Sequence, residues 1–337
     1  MSLASLAPPR SPARPGPGPV PERLLRALDV IVRRRVEGLL PGEARSSALG
    51  DGTELAQVRP YQPGDDVRAI DWNVTARTGE PHVRVHVAER SLVAWLVLDV
   101  SPSMAFGTAD RRKADVAEGV ALALGYLATR RGNRLGVVTF GGSRPALLPP
   151  RRGREALMTT LLELRTAPDE EGTGVTPLGP ALARAAAAAQ RRGIVVIVSD
   201  FRGPDDWSRP LRDLAARHEV LAVEIRDPRE LELPAMGDVW FTDPESGRQL
   251  VVNTSRRRVR RRFKAAAAAE REEVAAALRR AGADHLVLST DGDWLKDLAG
   301  HLRRAEHVRR GAMAAGGPGR AAAAAHAVPA GDGRGAA

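Results

Sequence analysis

Three short segments hold the residues able to do chemistry. LVLDVSPSM ends an apolar run in Asp99 and follows it at once with Ser101 and Ser103, and IVVIVSDF ends a second run in Asp200. GTGVTPLGPAL places Thr176 just before Pro177 at the start of a helix, where Thr is also a good N-cap. Open α/β sheets bind ligands outside the carboxyl ends of their strands, so oxygen-bearing residues there are well placed for function. Two carboxylates and three hydroxyls on one edge form an all-oxygen set without His or Cys, which suits Mg2+ better than zinc. Mg2+ keeps several waters in an octahedral shell, so a site with few direct protein ligands leaves a position that an acidic group of another protein can fill. Singly, each residue has a plain structural use: the aspartates cap loops, the serines make turn hydrogen bonds and Thr176 caps a helix. Their joint occurrence, in the order D-x-S-x-S, then T, then D, favours a site.

The elements that must position them read as a doubly wound sheet. Apolar runs at 92–98, 135–140, 194–198, 220–225 and 285–288 alternate with helical patterns at 113–131, 153–165, 177–192, 206–217, 256–281 and 293–307. Continuous Val/Ile/Leu runs alternating with helices predict an α/β fold with a mostly parallel sheet covered on both faces. DVWFTDPESGRQLVVNT departs from that pattern, with the alternation and turn of an antiparallel hairpin inserted over 237–254. The chain divides into a disordered stretch at 1–20, a helix and linker at 21–48, a small β-rich lobe at 49–90, the α/β domain at 91–307 and a disordered tail at 308–337. In the lobe, His82–Val87 reads as a half-buried strand.

Composition bounds the function. The formal charge is +10, but 48 of the 51 cations are arginine, only Lys113, Lys264 and Lys296 being lysine. With so much Ala, Gly and Pro beside it, this excess reads as compositional, and it argues against nucleic acid as the partner because a footprint needs clustering as well as excess. One cluster does exist: residues 256–264 carry seven cations, able to bind nucleic acid or an acidic protein surface, or else simply a solvated helix start. Cations there oppose the helix dipole and invite an anionic neighbour. Without cysteine there is no disulfide, thiolate metal site or cysteine nucleophile. With no signal-peptide pattern and no apolar span, the expectation is a soluble, cytoplasmic protein. No G-x-x-x-x-G-K-[ST] and no G-x-S-x-G occurs, and the seven histidines fall in no catalytic spacing.

The D-x-S-x-S, Thr and Asp segments together resemble the von Willebrand factor A-type domain with its metal-ion-dependent adhesion site. That resemblance implies Mg2+, with Mn2+ or Ca2+ as alternatives, bound directly by Ser101, Ser103 and Thr176 and through waters by Asp99 and Asp200. Thr173 is a rival for the Thr position; Thr176 has the family's Thr-then-helix shape. Upstream, VRPYQPGDDVRAIDWNVTARTGEPHVRVHVAER resembles the signature of the bacterial family known as domain of unknown function 58, through Arg59, Tyr61, Pro63, Gly64, Asp65, Arg68, Ile70, Asp71, Trp72, Ala76, Arg77, Thr78 and Glu89-Arg90. Of these, Arg59, Tyr61, Asp65, Arg68, Asp71, Trp72 and Arg77 are candidates for partner binding. The residues themselves read equally as an ion-paired surface lobe that Trp72 anchors to the sheet. The resemblance implies a non-enzymatic interaction module, an adaptor or co-chaperone whose partner is a MoxR-type AAA+ ATPase. The alternative is a metal-dependent hydrolase or phosphatase using the same cluster, for which the sequence offers no evident base or nucleophile.

Overall fold

Parallel β-strands buried on both faces need apolar side chains in both directions, and the five runs Val93–Asp99 (β3), Arg134–Phe140 (β4), Ile194–Ser199 (β6), Glu219–Arg226 (β7) and Asp284–Ser289 (β10) supply them. The structure is a computed structural model that describes residues 13–21, 23, 49–87, 93–129, 133–142, 145–152, 177–242 and 248–314. It divides into two compact units, Arg33–Leu92 and the remainder. Among the described residues no helix is long and apolar enough to cross a membrane.

In the larger unit the six strands run in the order β10-β7-β6-β3-β4-β5. All pairings are parallel except the last, where Leu147–Arg152 (β5) lies antiparallel on β4. This edge strand was not foreseen, because LLPPRR has neither alternation nor a donor at Pro149 and Pro150; an edge position tolerates both. From β3 the chain moves first to β4 on one side and then to β6 on the other. The order therefore reverses between β3 and β6, which opens a crevice at their carboxyl ends.

Helices cover both faces. One face of the sheet, including Trp95, Val97, Val138, Val195, Ile197 and Ala222, packs in a single core with Leu178–Ala188 (α3), Ser208–Ala215 (α4) and the end of Arg257–Arg280 (α5). Lys113–Thr129 (α2) and Trp294–Ala314 (α6) pack against one another elsewhere on the sheet, with Gly119 seated on the Trp294 indole. The hairpin is present as Asp238–Thr242 (β8) paired with Gln249–Asn253 (β9), but it forms its own two-stranded sheet. The expected helix at 153–165, most of the leading helix at 21–48 and both Thr173 and Thr176 fall outside the described residues.

Two boundaries differ from the sequence reading. Within the 1–20 stretch taken as disordered, residues 13–17 bind the body: Arg14 N donates to Asp110 O (2.7 Å), Arg111 Nε to Gly16 O (3.2 Å) and Trp294 Nε1 to Pro17 O (2.9 Å). Proline, glycine and serine suggested disorder, yet tertiary hydrogen bonds hold this segment in place. At the other end α6 continues past 307 to Ala314.

The smaller unit pairs Leu49–Pro60 (β1) with His82–Val87 (β2) around a short helix, Trp72–Thr78 (α1). Ion pairs hold it. Arg59 grips Asp65 with two bonds of 2.7 Å, and Asp71 caps α1 at Asn73 N and Val74 N while accepting from Arg84 Nε (2.9 Å). Hydrogen bonding from these guanidinium groups holds both carboxyls below the usual range. Trp72, the first residue of α1, is 70% exposed.

A Cβ at Gly119 would lie 2.3 Å from the Trp294 ring, which is buried and tied by its Nε1. Helix propensity favours Ala over Gly by about 1 kcal/mol, whereas overpacking a fixed ring costs about 1–3 kcal/mol. Gly119→Ala is expected to destabilise the protein by on the order of 1 kcal/mol in urea unfolding; a gain in stability would show that the ring yields.

Candidate metal centre at the ends of β3 and β6

Asp99 closes β3 and Asp200 follows β6, so the two neighbouring strands deliver both carboxylates into the crevice between them. The serines bind them into one cluster. Ser101 N donates to Asp99 Oδ1 (2.9 Å), Ser101 Oγ and Ser103 Oγ are 3.0 Å apart, and Ser103 Oγ donates to Asp200 Oδ2 (2.9 Å). All four side chains are buried. Four of the five metal-site residues expected from the sequence therefore come together; the fifth, Thr176, lies outside the described residues. The first residue of α3, Leu178, lines the same shallow pocket as Asp99, together with Ser199, Phe201 and Trp207.

Three residues that the sequence reading missed complete the cluster. Ser199, the last residue of β6, donates to Asp99 Oδ2 (2.6 Å). The ammonium of Lys113 donates to Asp200 Oδ2 (2.6 Å) and to Glu230 Oε1 (2.7 Å). Glu230 is itself fixed by a capping box with Asp227, whose carboxylate accepts from Thr108, Thr290 and Arg229. Ser199 was within reach, since it precedes Asp200 in the same strand end. Lys113 and Glu230 carried no local signal, because only the tertiary fold brings positions 113, 200 and 230 together.

The two aspartates differ in character. Burial and the nearby charge of Asp200 push the Asp99 carboxyl up to about 7. Burial also opposes charge on Asp200, but the ammonium of Lys113 and hydrogen bonds from Lys113, Arg202 N and Ser103 outweigh it and hold that carboxyl below its usual range. The backbone after Asp200 is strained: Phe201 has φ 53, among the described residues the one non-glycine with positive φ. This turn lets Ser199 Oγ accept from Phe201 N and Asp200 Oδ1 accept from Arg202 N, while the Phe201 ring meets Trp207 edge-on at 5.5 Å.

A second charged knot supports the Asp200 loop from behind. Arg271 of α5 donates through Nη1 to the Asp200 carbonyl (2.9 Å) and to Glu224 of β7 (2.9 Å). Glu224, fully buried, also accepts two bonds from Arg226 and one from His285. Burial alone would raise the Glu224 carboxyl, but these donors and the charges of Arg226 and Arg271 bring it down to about 2.

The cluster offers only oxygen donors, the type that hard divalent cations take. The Ser101–Ser103 and Ser103–Asp200 oxygens stand at hydrogen-bond distances of 3.0 and 2.9 Å, close to the separation of about 2.9 Å between neighbouring oxygens of an octahedral Mg2+ shell. Among the described residues no group of three or more His, Cys, Asp or Glu side chains is placed to hold a metal ion. Of the candidate partner-binding residues in the smaller unit, Arg59, Asp65 and Asp71 are engaged in holding it, Tyr61 is half-buried, and Arg68, Trp72 and Arg77 are exposed.

The family described as "Protein of unknown function DUF58" matches residues 57–273. The protein Rv1480 of Mycobacterium tuberculosis is 44% identical over 292 residues, covering 86% of this chain and 90% of its own length. Among solved structures, BatB from Bacteroides thetaiotaomicron is similar with a TM-score of 0.41 at 14% identity, over 66% of this chain and 100% of its own. The SpRpn10 VWA domain is similar with a TM-score of 0.34 at 12% identity, over 62% of this chain and 94% of its own.

Glu224 carries a pH signature. Because its folded value of about 2 lies below the ordinary 4.5, its charge contributes stability that is present above the ordinary value and lost as pH falls toward 2. The shift corresponds to on the order of 3 kcal/mol. Glu224→Gln is expected to cost about 3–5 kcal/mol at pH 7 and much less at pH 2, measured by urea unfolding at both. A gap that does not narrow with acid would contradict this assignment.

Proposed function

The chain belongs to the DUF58 family, and on that footing we propose that it is a non-enzymatic protein-interaction module that grips an acidic residue of a partner through a divalent cation. The observation that carries this reading is the cluster of hydroxyl and carboxylate oxygens at octahedral-edge spacing in the crevice between β3 and β6. Ser101 and Ser103 would hold the cation directly, and Asp99 and Asp200 would hold its waters; Thr176 is the proposed third hydroxyl. Mg2+ is the proposed ion, with Mn2+ and Ca2+ as alternatives, and when bound it supplies a positive centre with a site left open for a carboxylate. The family resemblance of the sequence makes a MoxR-type AAA+ ATPase the proposed partner, with this chain as adaptor or co-chaperone.

Each oxygen of Asp99 and Asp200 accepts a hydrogen bond from the chain itself, from Ser101 N, Ser199 Oγ, Arg202 N, Ser103 Oγ or Lys113 Nζ. An ionised carboxylate has about four acceptor positions, so both aspartates are fixed beside the serines and can still accept from waters of a cation.

Calorimetry with Mn2+ and Mg2+ tests the site. Ser103→Ala is expected to weaken cation binding by about ten-fold or more and to abolish EDTA-sensitive capture of a co-expressed MoxR-type ATPase. Equal cation binding by wild type and variant, or capture indifferent to EDTA, would contradict the proposal.

A further inference from the structure

Lys113 is the first residue of α2 and one of three lysines in the chain, and its side chain is buried. A buried ammonium is tolerated only when it is paired and hydrogen-bonded. Here both acceptors are themselves fixed: Asp200 by Arg202 N and Ser103 Oγ, and Glu230 by Asp227 N on its other oxygen (3.0 Å). The ring of Phe106 lies 5.8 Å from the ammonium, on the face of a cation–π contact. Lys113 is therefore placed by the fold. It also shares Asp200 Oδ2 with Ser103, so the ammonium stands two hydrogen bonds away from a hydroxyl proposed to hold the cation.

That position has two electrostatic consequences. The ammonium is shared by Asp200 and Glu230, and Arg202 Nε stands 3.5 Å from Glu230, so two cations face these two carboxylates without any bound metal. The ammonium also repels a divalent cation at close range in a site with little water to screen it. We infer that Lys113 is a resident counter-ion that sets the metal affinity of the site: it lets the cluster fold cation-free and holds divalent binding weak until a partner carboxylate adds negative charge. This rests on the reading of the site as cation-binding. By linkage, cation and partner then raise each other's affinity by the same factor, and occupancy becomes conditional on engagement.

A merely structural ion triad and a counter-ion that tunes affinity make opposite demands on two variants. Lys113→Met removes the positive charge next to the site, whereas Glu230→Gln removes a negative one and leaves the ammonium. With the full chain and Mn2+ as probe, free Mn2+ is followed by electron paramagnetic resonance and melting temperatures are recorded with and without EDTA. Lys113→Met is expected to bind Mn2+ at least about ten-fold tighter than wild type, and its melting temperature is expected to fall in EDTA and recover with Mn2+. Wild type is expected to melt at one temperature with or without EDTA, Lys113→Arg to keep wild-type affinity, and Glu230→Gln to bind more weakly.

Weaker binding by both Lys113→Met and Glu230→Gln, in step with lost stability, would overturn the inference in favour of a structural triad. If Lys113→Met does not fold even with Mn2+, Glu230→Gln decides, and affinity equal to or above wild type overturns it. Wild-type binding that Lys113→Met leaves within two-fold overturns the role of Lys113 while leaving the site standing. No Mn2+ binding by wild type or Lys113→Met at millimolar concentration overturns the cation site itself.

Discussion

Two carboxylates delivered by neighbouring parallel strands into one buried crevice impose the constraint around which this molecule is arranged. Asp99 and Asp200 close together in a medium of low polarity cannot both hold a full charge without compensation. The compensation is asymmetric. Asp200 receives the ammonium of Lys113 and remains charged, while Asp99 receives only neutral donors, Ser101 N and Ser199 Oγ, and its carboxyl rises to about 7. One aspartate is thus anchored by charge and the other is held by hydroxyl and amide dipoles, with the two serines between them.

Much of the surrounding structure serves to keep those groups in place. Asp227 gathers Thr108, Thr290 and Arg229 and, through the capping box, fixes Glu230 against Lys113. Glu224 gathers Arg226, Arg271 and His285, and Arg271 reaches on to the Asp200 carbonyl. Each knot crosses several elements, so β7, β10 and α5 all bear on a site that none of them enters. Removing one charged member of such a buried network is costly, because it leaves its partners uncompensated. The left-handed backbone at Phe201 is the local strain that this support tolerates, and it accompanies the bonds from Phe201 N to Ser199 Oγ and from Arg202 N to Asp200 Oδ1 that hold the two side chains.

The doubly wound sheet was legible because its strands are unbroken Val/Ile/Leu runs, and such runs have few other uses. Asp99, Ser101, Ser103 and Asp200 were legible for the same reason, each standing where an apolar run stops. Lys113 was not, because nothing in KADVAEGV separates a buried lysine from an exposed one; its partners lie 87 and 117 residues away. Leu147–Arg152 was hidden by its prolines, which an edge strand accepts. The segment at 13–17 looked disordered by composition and is held by hydrogen bonds with Asp110, Arg111 and Trp294, which composition does not encode. The basic run at 256–264 proves to be the N-terminal part of α5, where Arg260 is spent on the carbonyls of Thr254 and Ser255, and Lys264 on Glu232.

The central claim is that the oxygens between β3 and β6 form a divalent-cation site with a resident ammonium beside it. A crystal structure grown with MnCl2, with anomalous data collected for manganese, tests this most directly. The expected result is one anomalous peak within bonding distance of Ser101 Oγ and Ser103 Oγ, with Lys113 Nζ still on Asp200. A map with no peak there at millimolar manganese in either wild type or Lys113→Met, or with manganese displacing Lys113 from Asp200 in wild type, would contradict the account.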